Sequence, residues 1–265
     1  MIDYKIICRK IESAASETGM FIKKESEKFD ISKAESKGLH DFVSYVDKES
    51  EKMLVERLGN ILPEAGFIAE EGTSSKKGRE YCWVIDPLDG TTNFVHGFHP
   101  YAISVGLTKD EEPVAGVVHE VGGNETFTAW LGGGAWLNGK RICVSSAEKV
   151  SDSLIATGLP YNNFSRLDKY MACLTYFCRV SHGIRRFGSA AVDLSYVACG
   201  RFEAFYEYDL KPWDVAAGII ILREAGGKIS DFSGKEKNLT GSEIVAANRF
   251  VFPEFLEIVS KFMQH

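Results

Sequence analysis

Carboxylates hold the positions where this sequence can do chemistry. The stretch CWVIDPLDGTTNFVHG, Cys82 to Gly97, drives an apolar run into Asp86 and places a second acid, Asp89, just beyond a proline. Asp47, Glu70 and Asp214 sit in similar places, where a segment of regular hydrophobic pattern begins or stops. Each acid alone has an ordinary explanation as a helix cap, a loop charge or a turn former. As a set they ask for more, because clustered carboxylates at a buried strand end repel each other and lose hydration. A hard divalent cation offsets both costs. Magnesium takes oxygen ligands, keeps several waters and uses one or two carboxylates plus a substrate phosphate. No histidine or cysteine stands among these acids, so zinc and iron fit them less well.

GTTNF, Gly90 to Phe94, adds an anion seat. Gly90 lets the backbone approach a ligand, and the amides of Gly90 and Thr91 can point into a turn or a helix start. Thr91 adds a hydroxyl able to orient a water. Carboxylates for a cation beside amides for a phosphate suit metal-assisted hydrolysis of a phosphate ester.

The elements that must position these residues follow from hydrophobic spacing. Residues 4–28 predict a long helix, with Ile7, Ile11, Ala14, Ala15, Phe21 and Ile22 at helical intervals. FVSYV, at 42–46, reads as extended, and Asp47 is placed to cap a second helix whose stripe is Met53, Leu54, Leu58, Ile61 and Leu62. Strands are expected at 67–69 and at 81–85, the latter ending at Asp86, then at 101–107, 113–119 and 125–130, followed by a glycine-rich hairpin over 132–144. That hairpin is no phosphate loop, since neither a Lys-Ser/Thr pair nor a helix follows it. Beyond it, short extended runs alternate with helices near 165–179, 189–199 and 213–225, with strands at 202–207 and EIVAAN and a last helix from Pro253. We place a soft boundary at 144/145. It separates an N-terminal α+β half (1–144), with an antiparallel sheet and most of the acids, from a C-terminal α/β half (145–265) that carries Asp214.

The 265 residues, 45% hydrophobic, are enough for a substantial core, and a net charge of −6 without a basic block argues against nucleic-acid binding. TSSKKGRE, Thr73 to Glu80, reads as a solvated loop. The six cysteines form no C-x-x-C pair, so reduced and mostly buried thiols are expected rather than a zinc site. Neither a signal peptide nor an apolar span is visible, which points to a cytoplasmic protein. His96 and His99 read as loop or packing residues.

DPLDGTTNF, with AEEG upstream and KPWDVAAG downstream, resembles the inositol monophosphatase family of magnesium-dependent, lithium-inhibited sugar-phosphate phosphatases. The likeness runs through KGLHDFVSYVDKESE, GGGAWLNG, RRFGSAAVDLSYVACGRFEAFYE and REAGG, nearly the whole chain. It implies a layered α-β-α-β-α sugar-phosphatase fold with the site between the halves, and a homodimer. It implies a first magnesium on Glu70, Asp86 and the Leu88 carbonyl, a second on Asp86, Asp89 and Asp214, and a weaker third near Glu70. Thr91, with Asp47 and Glu70, would activate the attacking water. The amides of Gly90 and Thr91 would hold phosphate. Asp89, Ala190 and Glu207 would contact substrate hydroxyls, flanked by Gly188 and Ser189, the last standing where some relatives have threonine. Arg185 and Arg186 stay open between substrate, partner and plain surface roles. The expected activity is that of an inositol-1-monophosphatase acting on a small phosphate ester, with no membrane partner. Fructose-1,6-bisphosphatase or 3′-phosphoadenosine-5′-phosphate phosphatase activity, or a non-catalytic RNA- or polymerase-associated role, are the alternatives.

Overall fold

The computed structural model describes residues 2–30, 32, 34–36, 42–74, 76–236 and 240–263. Residues 37–41 of the KGLHDFVSYVDKESE stretch, and Ser75 of the basic loop, lie outside them. The chain opens with helix α1 (Tyr4–Ser26), the short paired strands β1 (Glu35–Ser36) and β2 (Phe42–Val43), and helix α2 (Tyr45–Ile61). Then come β3 (Gly66–Ala69), β4 (Tyr81–Asp89), the short helix α3 (Thr91–Val95), and β5 (Ala102–Lys109) to β6 (Glu112–Glu120), β7 (Glu125–Trp130), β8 (Gly134–Leu137) and β9 (Lys140–Ile142). These form a seven-stranded sheet in the order β3-β4-β5-β6-β7-β8-β9. The β3–β4 pair is parallel and every later pair antiparallel, as hairpin connections require.

The second half runs β10 (Leu154–Thr157), α4 (Leu167–Val180), β11 (Gly183–Arg185), α5 (Ala190–Ala198), β12 (Ala204–Tyr208), α6 (Pro212–Glu224), β13 (Gly227–Ser230), β14 (Glu243–Asn248) and α7 (Phe252–Met263). Its five-stranded sheet has the order β11-β10-β12-β14-β13. β10 is parallel to β11 and β12, while β14 is antiparallel to β12 and β13.

Period-two alternation sorts the side chains into layers. On β5, Ile103, Val105 and Leu107 face Ile11 of α1 and Leu54 of α2 in one core, while Ala102 joins Leu194 of α5 and Ile220 of α6 in a second. A third core packs Ile155, Tyr206 and Val245 against Tyr170 and Phe177 of α4 and Phe255 of α7. The result is the α-β-α-β-α sandwich. α6 lies close against the first sheet because Gly106 and Gly116 leave room for it: a Cβ on Gly116 would stand 2.6 Å from Ile220 Cγ2.

Several expectations change in detail. Ser44, not Asp47, caps α2, and Asp47 is the third helical residue, accepting back from the Ser44 amide at 2.9 Å. β4 does not stop at Asp86 but continues to Asp89 through a register shift between these two residues. Pro87 has no N–H for the ladder, so the strand bulges there instead of ending. β13 was hidden because Gly226-Gly227 reads as a helix stop and the strand, Gly227–Ser230, is only four residues long. The thiols are less buried than composition suggests: Cys8 and Cys173 are buried, Cys82 and Cys199 half-buried, Cys143 and Cys178 exposed, all free. Among the described residues no helix is long and apolar enough to cross a membrane.

Candidate functional site

β4 delivers the acids. Its interior carries Asp86, 2% exposed, whose Oδ1 accepts the Leu88 amide at 2.9 Å. The bulge then turns Asp89 and the Leu88 carbonyl toward the same cleft, of about 450 Å³. Gly90 follows in the left-handed region (φ 92°), a conformation that costs a residue with a Cβ about 1–2 kcal/mol. A side chain there would also crowd the Pro100 and Gly188 carbonyls. The turn starts α3, whose first amides have no partner within the helix and lie beside the cleft.

The other acids arrive from separate elements. Glu70 follows the last residue of β3, its amide fixed on the Ile85 carbonyl at 3.2 Å, so that it stands beside Asp86. Asp214 lies in the first turn of α6, after Pro212 at the helix start, and its Oδ2 accepts the Lys211 amide at 2.7 Å. Asp214 lies close enough to Asp86 for its charge to raise the Asp86 carboxyl. Glu207 projects from β12 over Gly158, where a Cβ would stand 1.8 Å from its Oε1.

The electrostatics are those of a buried acid cluster that Arg186 and Lys211 offset only in part. Burial pushes the Asp86 carboxyl well up, and the neighbouring charges of Glu70, Asp89 and Asp214 push it further. Asp214 is raised by burial and then by Asp89. Asp89 is raised by burial, opposed by the Ser189 hydroxyl (2.7 Å) and the Ala191 amide (2.8 Å) that donate to its Oδ2. Glu207 is pushed well up by burial and by Asp214. Asp89 and Asp214 keep an edge open to the cleft but are otherwise walled in by protein, which is why burial dominates.

Every residue expected at the site lines this cleft except Asp47: Glu70, Asp86, Leu88, Asp89, Gly90, Thr91, Gly188, Ser189, Ala190, Glu207 and Asp214. Asp47 is fully buried behind Thr91, whose Oγ1 lies 2.9 Å from Asp47 Oδ1 and 3.0 Å from the Leu88 carbonyl. Its carboxyl is raised to about 6 by burial, against the bonds from Ser44 and Thr91. His96 and His99 are exposed, and His99 stacks on Tyr101.

Sequence reasoning gave no site role to three supports. Asn93 donates to the Pro100 and Phe187 carbonyls, both at 2.7 Å, tying the motif to the segment before Gly188. Ser104 holds the Trp213 carbonyl at 3.1 Å, next to Asp214. Glu51 is fully buried and accepts the amides of Glu71 and Thr73. The only sequence hint for Glu51 was its place one helical turn after Asp47.

The donor set tests what the cleft can hold. Among the described residues that line it, the charged groups able to ligate a cation are carboxylates, Lys211 is a cation itself, and neither histidine nor cysteine is present. That chemistry fits a hard divalent cation. Among the described residues no three such side chains form a ready-made cage. A cation held here would complete its shell with carbonyl, water and substrate oxygens, as small hard ions do.

Known proteins share this chain's sequence pattern and its layered fold. The model of the "Inositol monophosphatase family" matches residues 5–264. A putative Nus factor SuhB of Neisseria meningitidis serogroup B is 44% identical over 248 residues, 93% of this chain and 95% of that one. An inositol-1-monophosphatase of Rhizobium meliloti is 42% identical over 226 residues, 85% of each chain. The crystal structure of extragenic suppressor protein suhB from Bartonella henselae superposes with a TM-score of 0.91 at 34% identity, covering 97% of this chain and 99% of the other. With the match running from α1 to the end of α7, the chain belongs to the inositol monophosphatase family.

Proposed function

We propose that this protein is a magnesium-dependent phosphomonoesterase whose preferred substrate is an inositol monophosphate, cleaved to inositol and inorganic phosphate. The observation that carries the reading is the meeting of Glu70, Asp86, Asp89 and Asp214, drawn from β3, β4 and α6, beside the Gly90–Thr91 turn in one cleft. Glu70, Asp86 and the Leu88 carbonyl would hold one ion, Asp86, Asp89 and Asp214 a second, and a weaker third would sit near Glu70, largely through waters. Bound there, the cations supply Lewis-acid neutralisation of the phosphoryl charge and of the departing alkoxide.

The chain's own residues do the rest. The Gly90 and Thr91 amides take phosphate oxygens. They act as individual donors, because the macrodipole of a helix as short as α3 is small. Thr91 aims a water at phosphorus with a hydroxyl whose single proton goes to the Asp47 carboxylate, the Leu88 carbonyl lying 3.0 Å away. Glu70 stands opposite as the second group orienting that water. Glu207, Asp89 and the Gly188–Ala190 turn accept or donate to the hydroxyls of the alcohol. The names of relatives such as the Rhizobium inositol-1-monophosphatase support inositol as that alcohol.

A phosphate-release screen tests the proposal. Inositol 1-phosphate is expected to be hydrolysed only with magnesium, with inhibition by lithium. Faster release from fructose 1,6-bisphosphate or 3′-phosphoadenosine 5′-phosphate would reassign the substrate, and activity unchanged in EDTA would refute the metal-dependent mechanism. A second reading rests on relatives named Nus factor SuhB, such as that of Pseudomonas aeruginosa at 39% identity. Here the acid set is complete, so a binding role of that kind would accompany catalysis. Like the dimer expected from the family, it is tested by the mass of the purified protein alone and with transcription-complex components.

A further inference from the structure

α2 carries two fully buried acids, Asp47 and Glu51, one helical turn apart on a single face. Asp47 meets the Thr91 hydroxyl. Glu51 reaches the turn after β3: its Oε2 accepts the Glu71 amide at 2.7 Å and its Oε1 the Thr73 amide at 2.6 Å. Glu70 is thereby held on both sides. Its own amide is bonded to the Ile85 carbonyl, the residue before Asp86, and the next amide along is bonded to Glu51.

Resting on the function proposed above, we infer that Glu51 is a positioning residue for Glu70, and that α2 sets the spacing of the two water-orienting groups. Four residues of α-helix rise about 6 Å, so the Asp47–Glu51 step is a fixed ruler between the Thr91 side and the Glu70 side of the cleft. Only a carboxylate satisfies both loop amides at once, because it accepts at each oxygen. A glutamine of the same shape presents an N–H₂ to one of the two N–H groups. With no water reaching Glu51, that mismatch is relieved by displacing the loop, and Glu70 moves with it.

Hydrogen exchange and kinetics on the intact protein separate this role from simple helix support. In the unmodified protein the Glu71 and Thr73 amides should exchange slowly although both lie in a surface turn; fast exchange at both would overturn the clamp whatever any variant does. Glu51→Gln should speed their exchange and lower kcat by about tenfold to hundredfold, the loss expected for a hydrogen bond to a charged group. It should raise the magnesium concentration for half-maximal activity and leave KM for the phosphate ester unchanged. Leu58→Ala, which opens a cavity two turns further along α2, should lower Tm while sparing kcat, the magnesium requirement and both amides. Equal effects of the two variants on kcat, or wild-type kcat and exchange in Glu51→Gln, would refute the positioning role. If the unmodified protein releases no phosphate from any ester, the proposed function fails, and the exchange arm alone decides the clamp.

Discussion

Asp86, on the floor of the cleft, and Asp193, in α5 behind the rim that carries Ser189 and Glu207, are 2% and 1% exposed. Asp86 touches a cleft, receives the Leu88 amide and is ringed by Glu70, Asp89 and Asp214. Asp193 is not among the residues lining this cleft, and both its oxygens lack a hydrogen-bond partner among the described residues. Burial raises both carboxyls. The floor has access for a cation and a geometry that rewards one. The rim's backing lies outside the cleft, where burial favours the protonated form against the pull of the Arg186 charge. Two acids of equal burial thus belong to regions with different solutions to the same desolvation cost, and substitutions should separate them.

The largest effects belong on the floor. Asp89→Asn or Asp214→Asn should reduce magnesium-dependent phosphate release by about 10³-fold, corresponding to about 4 kcal/mol of transition-state stabilisation. Circular dichroism should show a folded protein, since each change relieves repulsion. Magnesium should raise Tm of the unmodified protein by preferential binding to the folded state and raise it much less in either variant. Full activity in either would sink the two-cation reading.

Thr91→Val keeps the shape and deletes the hydroxyl that Asp47 holds, so kcat should fall by about 10²-fold, as for loss of a preorganised donor, with KM little changed. Thr91→Ser, which restores the hydroxyl, should recover most of it. On the rim, Glu207→Gln should act on recognition instead. KM for inositol 1-phosphate should rise about tenfold, the value of about 1.4 kcal/mol for one hydrogen bond to a charged group. Release from an aryl phosphate with no hydroxyls should be unaffected. A kcat loss shared by both substrates would place Glu207 with the floor.

The floor was legible in the sequence for a physical reason. Asp86 to Thr91 is one contiguous stretch, and an apolar run ending in acids can be interpreted without knowing what it packs against. The rim was legible only through family resemblance. Ser189 and Glu207 are ordinary alone and gain meaning from β12 and the start of α5 meeting over Gly158 and Asp89. The β4 bulge escaped because a proline after an acid reads as a strand end until β5 is seen pairing on both sides of it. Glu51 and Asn93 escaped because their partners are backbone amides and carbonyls of other segments, which no residue type announces.

The smallest effect is the most diagnostic of the contrast. Asp193→Asn keeps the side chain's shape and its unpartnered polar atoms but cannot ionise. In the folded protein, burial first, then Glu207 and Asp89, hold the Asp193 carboxyl well above its ordinary 3.8. Below that value both folded and unfolded chains keep the proton, and the residue's contribution to stability is whole. As pH rises past it, the unfolded chain releases its proton while the folded chain still retains its own, so that contribution is lost until the folded carboxyl ionises too. The asparagine variant is spared this loss. Its Tm should match the unmodified protein near pH 3.8 and exceed it by about 2–4 °C at pH 7, the shift that about 1 kcal/mol gives a chain of this size. Magnesium should narrow the difference only by the share that the Asp89 charge contributes, because burial comes first in holding the Asp193 carboxyl up. A gap that closes when magnesium is added would instead join Asp193 to the floor.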